Sequence, residues 1–256
     1  MGISLNSNYQ SMWAIRSVNQ GMLSLYRSME RLSSGLAINR ASDDPAGLII
    51  SETLRSRIAS LNQEIKNVSS SINKYQTVSS TVSTLRSHLT ELRSLAVGAA
   101  NDAGNDETSQ QAYVASAEHL VATFNNTVEQ AEYNDKKTLD GSEGSLAHVS
   151  ELSGIDLSTP AAAAESIEKI DAAVKEIDNI QIDLGATQKN ELESRLASLS
   201  VTRENLVAAE SQIRDTDYAQ EYANFVSNMI RTRASLAILA HSSILGSGIV
   251  DLLSRS

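Results

Sequence analysis

Between Leu48 and Val97 the chain runs fifty residues without a glycine or a proline. Through all of it apolar side chains return every three or four positions. They are Leu54, Ile58, Leu61, Ile65, Val68, Ile72 and Tyr75, then Val78, Val82, Leu85, Leu89, Leu92 and Ala96. A stripe of that period marks an α-helix packed along other helices. At 1.5 Å per residue the stretch makes a rod of roughly 75 Å, longer than a small domain is wide. Such a helix needs partners along its whole length.

The same period returns on either side. Met12, Ile15, Val18, Met22, Leu25, Met29, Leu32 and Leu36 form a first stripe, which Gly35 can end because it tolerates positive φ. A non-periodic connector, Asn39 to Gly47, follows. Within it Asp44 reads as an N-cap with Pro45 at the first helical position. After the long helix, Asn101 to Asp106 reads as a turn, and Val114, Ala117, Val121, Phe124, Val128 and Ala131 mark a third helix. Periodicity collapses over 133–160, which predicts a loop or a short hairpin around Gly141 to Gly144. Thr159 and Pro160 then open a helix that carries Ile167, Ile170, Val174, Ile177 and Leu184. Past Gly185 it resumes as Leu192, Leu196, Leu199, Leu206 and Ile213. A glycine inside a helix costs about 1 kcal/mol, so continuity or a mild kink is expected there. A second connector, Arg214-Asp215-Thr216-Asp217, resembles the first, and Asp217 with Gln220 has capping-box spacing. The last helix carries Tyr218, Tyr222, Phe225, Met229, Leu236 and Leu239, broadened by Val226, Ile230, Ala237 and Ile244.

The order is nearly a palindrome of terminal helix, capped connector, long helix, middle, long helix, capped connector and terminal helix. It predicts a mainly α fold: an elongated antiparallel bundle of long helices, a terminal two-helix coiled coil, and a short loop or β-hairpin region. Aromatics make up 4% of the residues and prolines number two, so aliphatic seams must hold such a fold together. A layer of two long helices leaves outer faces uncovered and is marginal alone. The expectation is a rod that assembles with copies of itself.

Charge supports this. Residues 1–32 carry +2 and residues 218–256 carry +1, so the total of −10 leaves −13 on residues 33–217. Chain ends are usually polar, and charge-poor ends have somewhere to be buried. The acidic total argues against nucleic acid as a partner. The tail from Ala234 to Leu253 is broken by His241, Ser242, Ser243, Gly246, Ser247, Gly248 and Asp251, so no membrane span is expected. Met1 to Gln10 has neither a basic cluster nor an apolar run leading to a cleavage site, so no ordinary secretion signal is expected.

No catalytic chemistry gathers. With no cysteine there is no disulfide, thiolate nucleophile or cysteine-ligated metal. His88, His119, His148 and His241 form no zinc motif. His88 with Glu91, and His148 with Glu151, lack a third ligand. Asp43 and Asp44 read as capping groups rather than a carboxylate pair, and Trp13 as an interface anchor. No enzyme, cofactor or metal is expected.

Three stretches carry a resemblance. Met29 to Leu48, which includes Arg40-Ala41-Ser42-Asp43-Asp44-Pro45-Ala46-Gly47, is similar to the N-terminal signature of bacterial flagellins. Glu91 to Asn101 resembles the second signature, and Glu210 to Ala219, with Arg214-Asp215-Thr216-Asp217-Tyr218, the third. The resemblance covers roughly 1–140 and 165–256 in order. It implies a subunit secreted through the flagellar export channel, which polymerises into the extracellular filament that drives swimming. It also implies an inner coiled-coil domain from 1–43 and 215–256 and a rod-like domain over 44–214. The only room for an outer insertion is 133–160, so the form would be minimal and the filament thin.

The implied partners are further copies of the chain, an export chaperone on the C-terminal helix, a filament cap and junction proteins. The expected assembly interface is Met22, Leu25, Met29 and Leu32 with Tyr222, Phe225, Met229, Leu236 and Leu239. The expected connector residues are Asn39, Arg40, Asp43, Asp44, Pro45, Arg214, Asp215 and Asp217. The nearest alternative is the hook–filament junction protein, which shares the terminal helices and an Asp-Asp-Pro connector; the run Leu92 to Asn101 favours flagellin. In family members that a mammalian Toll-like receptor detects, an arginine stands where this chain has Glu91 and a glutamate aligns with Tyr113. These departures imply weak activation of that receptor.

Overall fold

The computed structural model describes residues 9–101, 106–142 and 144–254, with side chains as far as His241. Helix α1 spans Tyr9–Ser34, α2 Pro45–Ala99 and α3 Glu107–Glu129. Strands β1 (Glu132–Tyr133) and β2 (Lys136–Lys137) pair antiparallel. Helix α4 covers Pro160–Ala186, a π-helical segment Thr187–Glu193, α5 Ser194–Arg214, and α6 Tyr218–Ser254. The fold is mainly helical, as the periodicity predicts. Of the turn expected between Asn101 and Asp106, residues 102–105 lie outside the described residues.

The chain divides into two compact units. One comprises Met1–Ser60 with Arg203–Ser256, the other Leu61–Thr202. The sequence-based boundaries at 43/44 and 214/215 follow the connectors instead.

In the 61–202 unit α2 contributes Val78, Val82, Leu85, Leu89, Leu92, Ala96 and Ala99 to the core. Ala117, Phe124 and Val128 of α3 and Ala163, Ile170, Ile177 and Leu184 of α4 complete it. α2 and α4 run antiparallel: Arg86 pairs with Asp178 and Arg93 with Asp171, both at 2.6 Å, seven residues on along one helix and seven back along the other. Fully burying a Leu, Ile or Phe side chain is worth about 1.5–3 kcal/mol, so this seam dominates the unit.

The non-helical stretch is not a solvated loop. It sinks Leu139, Val149, Leu152 and Leu157 into the same core. Polar side chains on the helices satisfy its backbone, as burial requires. Asn125 donates to Leu152 O and accepts from Leu152 N (3.0 and 2.9 Å). Ser166 Oγ donates to Asp156 O and accepts from Asp156 N, both at 2.9 Å. A first hairpin falls earlier than the glycines suggest. Its turn is Asn134-Asp135, with φ of 55° and 60°, and two positive φ values are what a two-residue hairpin turn needs. A second reversal falls at the glycines: an antiparallel bridge joins Asp140 and His148 around Gly141 and Gly144, whose φ values are 75° and 99°.

The chain stays helical through Gly185, and no break occurs. Two residues after it the hydrogen bonding loosens into the π-helical segment.

Candidate functional site

The terminal helices lie antiparallel in the first unit, with Gly21 against Thr232, Ser28 near Asn228, and Arg31 near Glu221. Their seam is not the stripe of large apolar residues. On α1 the buried positions are Ala14, Gly21 and Ser28, seven apart. Facing them, α6 buries Glu221 and Thr232 and half-buries Phe225, Asn228, Ser235 and Leu239. A Cβ on Gly21 would lie 2.6 Å from Thr232 Oγ1, so the close crossing depends on glycine. Glu221 is only 6% exposed and faces Arg31 at 3.6 Å.

Most of the large apolar residues sit outside this seam. Met22 is 37% exposed, Met29 41%, Tyr222 62% and Leu236 47%. Trp13, Tyr26 and Ile230 are exposed too. Leu25, Leu32, Val226 and Met229 are half-buried along its flanks. Of the expected assembly residues, Met22, Met29, Tyr222 and Leu236 are thus exposed within one chain. The side chain of Ile244 lies outside the described residues. Hydropathy singled out the bulky stripe; the signal for the true seam was the seven-residue spacing of Ala14, Gly21 and Ser28.

The connectors are tied to each other. Ala37 N donates to Arg214 O (2.7 Å) and Thr216 N to Gly35 O (2.9 Å), about an antiparallel bridge between Leu36 and Asp215. Gly35 takes φ 74°, with the Tyr218 hydroxyl 2.9 Å from where a Cβ would stand. The Asp43 carboxylate accepts from Asn39 N and Arg40 N (3.2 and 3.0 Å), and these bonds, led by that of Arg40, hold its pKa below the ordinary value. Arg40 in turn pairs with Glu30 at 2.9 Å. Asp44 caps α2 by accepting from Ala46 N and Gly47 N (3.1 and 3.0 Å), with Pro45 beginning the helix. Asp217 caps α6 by accepting from Ala219 N and Gln220 N, and Asp215 accepts from Ser211 Oγ at 2.6 Å. Arg214 reaches Glu52 at 2.6 Å, which lowers the Glu52 pKa, while its own Nε is buried without a partner.

Glu91 lies exposed on α2. Tyr113 does not simply decorate a solvated face. It is half-buried, and its ring stands 3.1 Å from the Cβ position of Gly98, so it packs α3 on α2. Among the described residues no group of three potential metal-ligating side chains occurs, and no helix is long and apolar enough to cross a membrane.

Capped connectors, heptad seams and outward bulky residues are the architecture of a coiled-coil structural protein. Residues 5–144 match the family model of the bacterial flagellin N-terminal helical region, and residues 167–253 that of the C-terminal helical region. The chain belongs to the bacterial flagellin family. A flagellin of Halalkalibacterium halodurans is 34% identical, and a flagellar filament 33 kDa core protein of Treponema phagedenis 30%; each alignment covers 97% of this chain and 99% of the relative. The flagellin of Bacillus subtilis is 28% identical with the same coverage. The crystal structure of Bacillus cereus flagellin aligns with 57% of this chain and 94% of its own, with a TM-score of 0.48 at 18% identity, a likeness too slight to build on.

Proposed function

We propose that this chain is a structural, non-enzymatic subunit that polymerises into the extracellular flagellar filament. The observation that carries the reading is the division of labour on the terminal helices. Small and polar residues close the seam inside the chain, and Trp13, Met22, Met29, Tyr222 and Leu236 face out. Large apolar side chains that remain exposed on a helix pair call for another surface, and further copies of the same pair supply it. The relatives named above are flagellins and a filament core protein, which gives the hook–filament junction alternative no support over this reading.

In this reading residues 1–43 and 215–256 form the inner coiled-coil layer, and 44–214 the rod outside it. The segment 133–160 is clamped to the rod, and no large outer domain stands there. The other partners are the export chaperone on the C-terminal helix, the tip cap and the junction proteins. Glu91 and Tyr113 leave the receptor-facing surface without the arginine and glutamate of detected members. The test is Leu236→Asp. A carboxylate buried without a partner costs several kcal/mol per subunit, so electron microscopy should show no filaments while circular dichroism shows an intact 61–202 unit. Normal filaments from that variant would refute the reading.

A further inference from the structure

The apolar stripe along α4 and α5 changes phase once. Ala163, Ile170, Ile177 and Leu184 are buried at intervals of seven. Leu192, Leu199, Leu206 and Ile213 also repeat every seven residues, and each is half-buried. The step from Leu184 to Leu192 is eight. The π segment Thr187–Glu193 lies on that step. A π turn closes from i to i+5 rather than i+4, so it houses one residue more than an α turn.

We infer that the π segment is a register corrector and the yielding point of this helix. It absorbs one surplus residue between two heptad-regular blocks, so that Leu192 and Leu199 continue on the side where α4 presents its own apolar residues. Without the bulge α5 would turn by about 100°. The positions then in phase would be Glu191, Ser198, Asn205 and Gln212, all polar. Forfeiting a whole aliphatic stripe outweighs the poorer hydrogen-bond geometry of one π segment, so the bulge persists.

Its surroundings fit that role. No side chain of the segment is buried. Gln188 Nε2 donates to Glu193 Oε1 at 3.2 Å, a pair five residues apart that stacks along a π turn. Beyond its chain neighbours and its own helix backbone, nothing lies within 4 Å of the Cβ position of Gly185. A cavity of about 280 Å³, lined by Tyr75, Leu146, His148, Asp183 and Thr187 among others, opens beside the first residue of the segment. Packing therefore leaves the helix lightly restrained where its hydrogen bonds are irregular, and helices bend at π bulges.

The inference concerns the chain itself, and the test uses the soluble full-length protein before any assembly, so it succeeds or fails apart from the filament reading. Deleting Asn190, which is exposed, brings the step from Leu184 to the next seam leucine back to seven. That variant should melt at or above the parent's temperature, and amide exchange over 187–193 should slow to the rate of α4. Deleting exposed Ala172 instead puts the buried block of α4 out of phase and should lower the midpoint by at least ~5 °C. The inference is overturned if the Asn190 deletion lowers the midpoint as far as the Ala172 deletion does. It is equally overturned if residues 187–193 of the parent already exchange as slowly as α4.

Discussion

Adding one methyl group at Gly21 sets two effects of known size against each other. Alanine is the better helix former by about 1 kcal/mol in a helix interior, and α1 runs from Tyr9 to Ser34 with Gly21 near its middle. The new Cβ, however, lands 2.6 Å from Thr232 Oγ1. Thr232 is buried, and its hydroxyl donates to Asn228 O at 2.8 Å, so it has little freedom to turn aside. The helices must part by several tenths of an ångström, and overpacking of this kind costs about 1–3 kcal/mol. The clash should win, leaving Gly21→Ala destabilised by roughly 1 kcal/mol. Removing the hydroxyl as well reverses the sign. In Gly21→Ala with Thr232→Ala the nearest remaining atoms are the Cβ and Cα of residue 232, at 3.5 and 3.6 Å, which is ordinary contact. The double variant then keeps the propensity gain, and the cycle should show coupling of about 1–3 kcal/mol. The four proteins are compared as filaments, the state in which the terminal pair is ordered, by urea-induced disassembly followed by circular dichroism. A Gly21→Ala protein as stable as the parent, or additive single effects, would refute the small-residue seam.

Three further outcomes are expected. Phe124 is fully buried where α3 enters the core, so Phe124→Ala should cost about 3–5 kcal/mol by urea denaturation. Acid should destabilise the chain: the Arg93 hydrogen bond holds the Asp171 carboxyl below its ordinary pKa, and Arg214 does the same for Glu52. A carboxylate depressed in the folded state contributes stability above its unfolded pKa and loses it as pH falls through the folded one, so the loss should set in below about pH 4 and be smaller in Asp171→Asn. In a reporter-cell assay the monomer should activate the Toll-like receptor weakly and Glu91→Arg should recover part of the response; full potency of the parent would dispose of that expectation.

The helices were legible because their signals are local. Asp44 with Pro45, Thr159 with Pro160, and Asp217 each cap a helix where short-range chemistry places them. The antiparallel order was legible too, because a stripe fifty residues long admits few other ways to be covered. Two features were missed because a stronger cue stood beside the true one. Gly141 and Gly144 do mark a reversal, closed by the Asp140–His148 bridge, but they drew attention from Asn134-Asp135, which turns the earlier hairpin with left-handed asparagine and aspartate. Gly185 drew attention to a kink, whereas the decisive feature was the eight-residue step from Leu184 to Leu192. Tyr113 was legible only as a departure from a family pattern; that its ring lies against Gly98 depends on how α3 crosses α2.

The seam of the terminal helices shows why hydropathy alone misassigns contacts in an assembling protein. A helix in a monomer needs one buried face, and its largest apolar residues mark it. Here α1 carries two faces, Ala14, Gly21 and Ser28 on one and Met22 and Met29 on another. The small face brings two backbones close and fixes their register through Thr232 and the Arg31–Glu221 pair. It buries little apolar area, so its hydrophobic contribution is small. The large face holds most of the apolar area and remains outward. A pair built this way gains little by closing on itself and much by meeting another surface, so the free energy that orders it is released mainly on association. If that is right, residues before about Arg40 and beyond about Asp215 should be cut quickly by protease in the soluble chain and resist it in the filament, while 61–202 resists in both. Equal protection of the ends in the two states would contradict this.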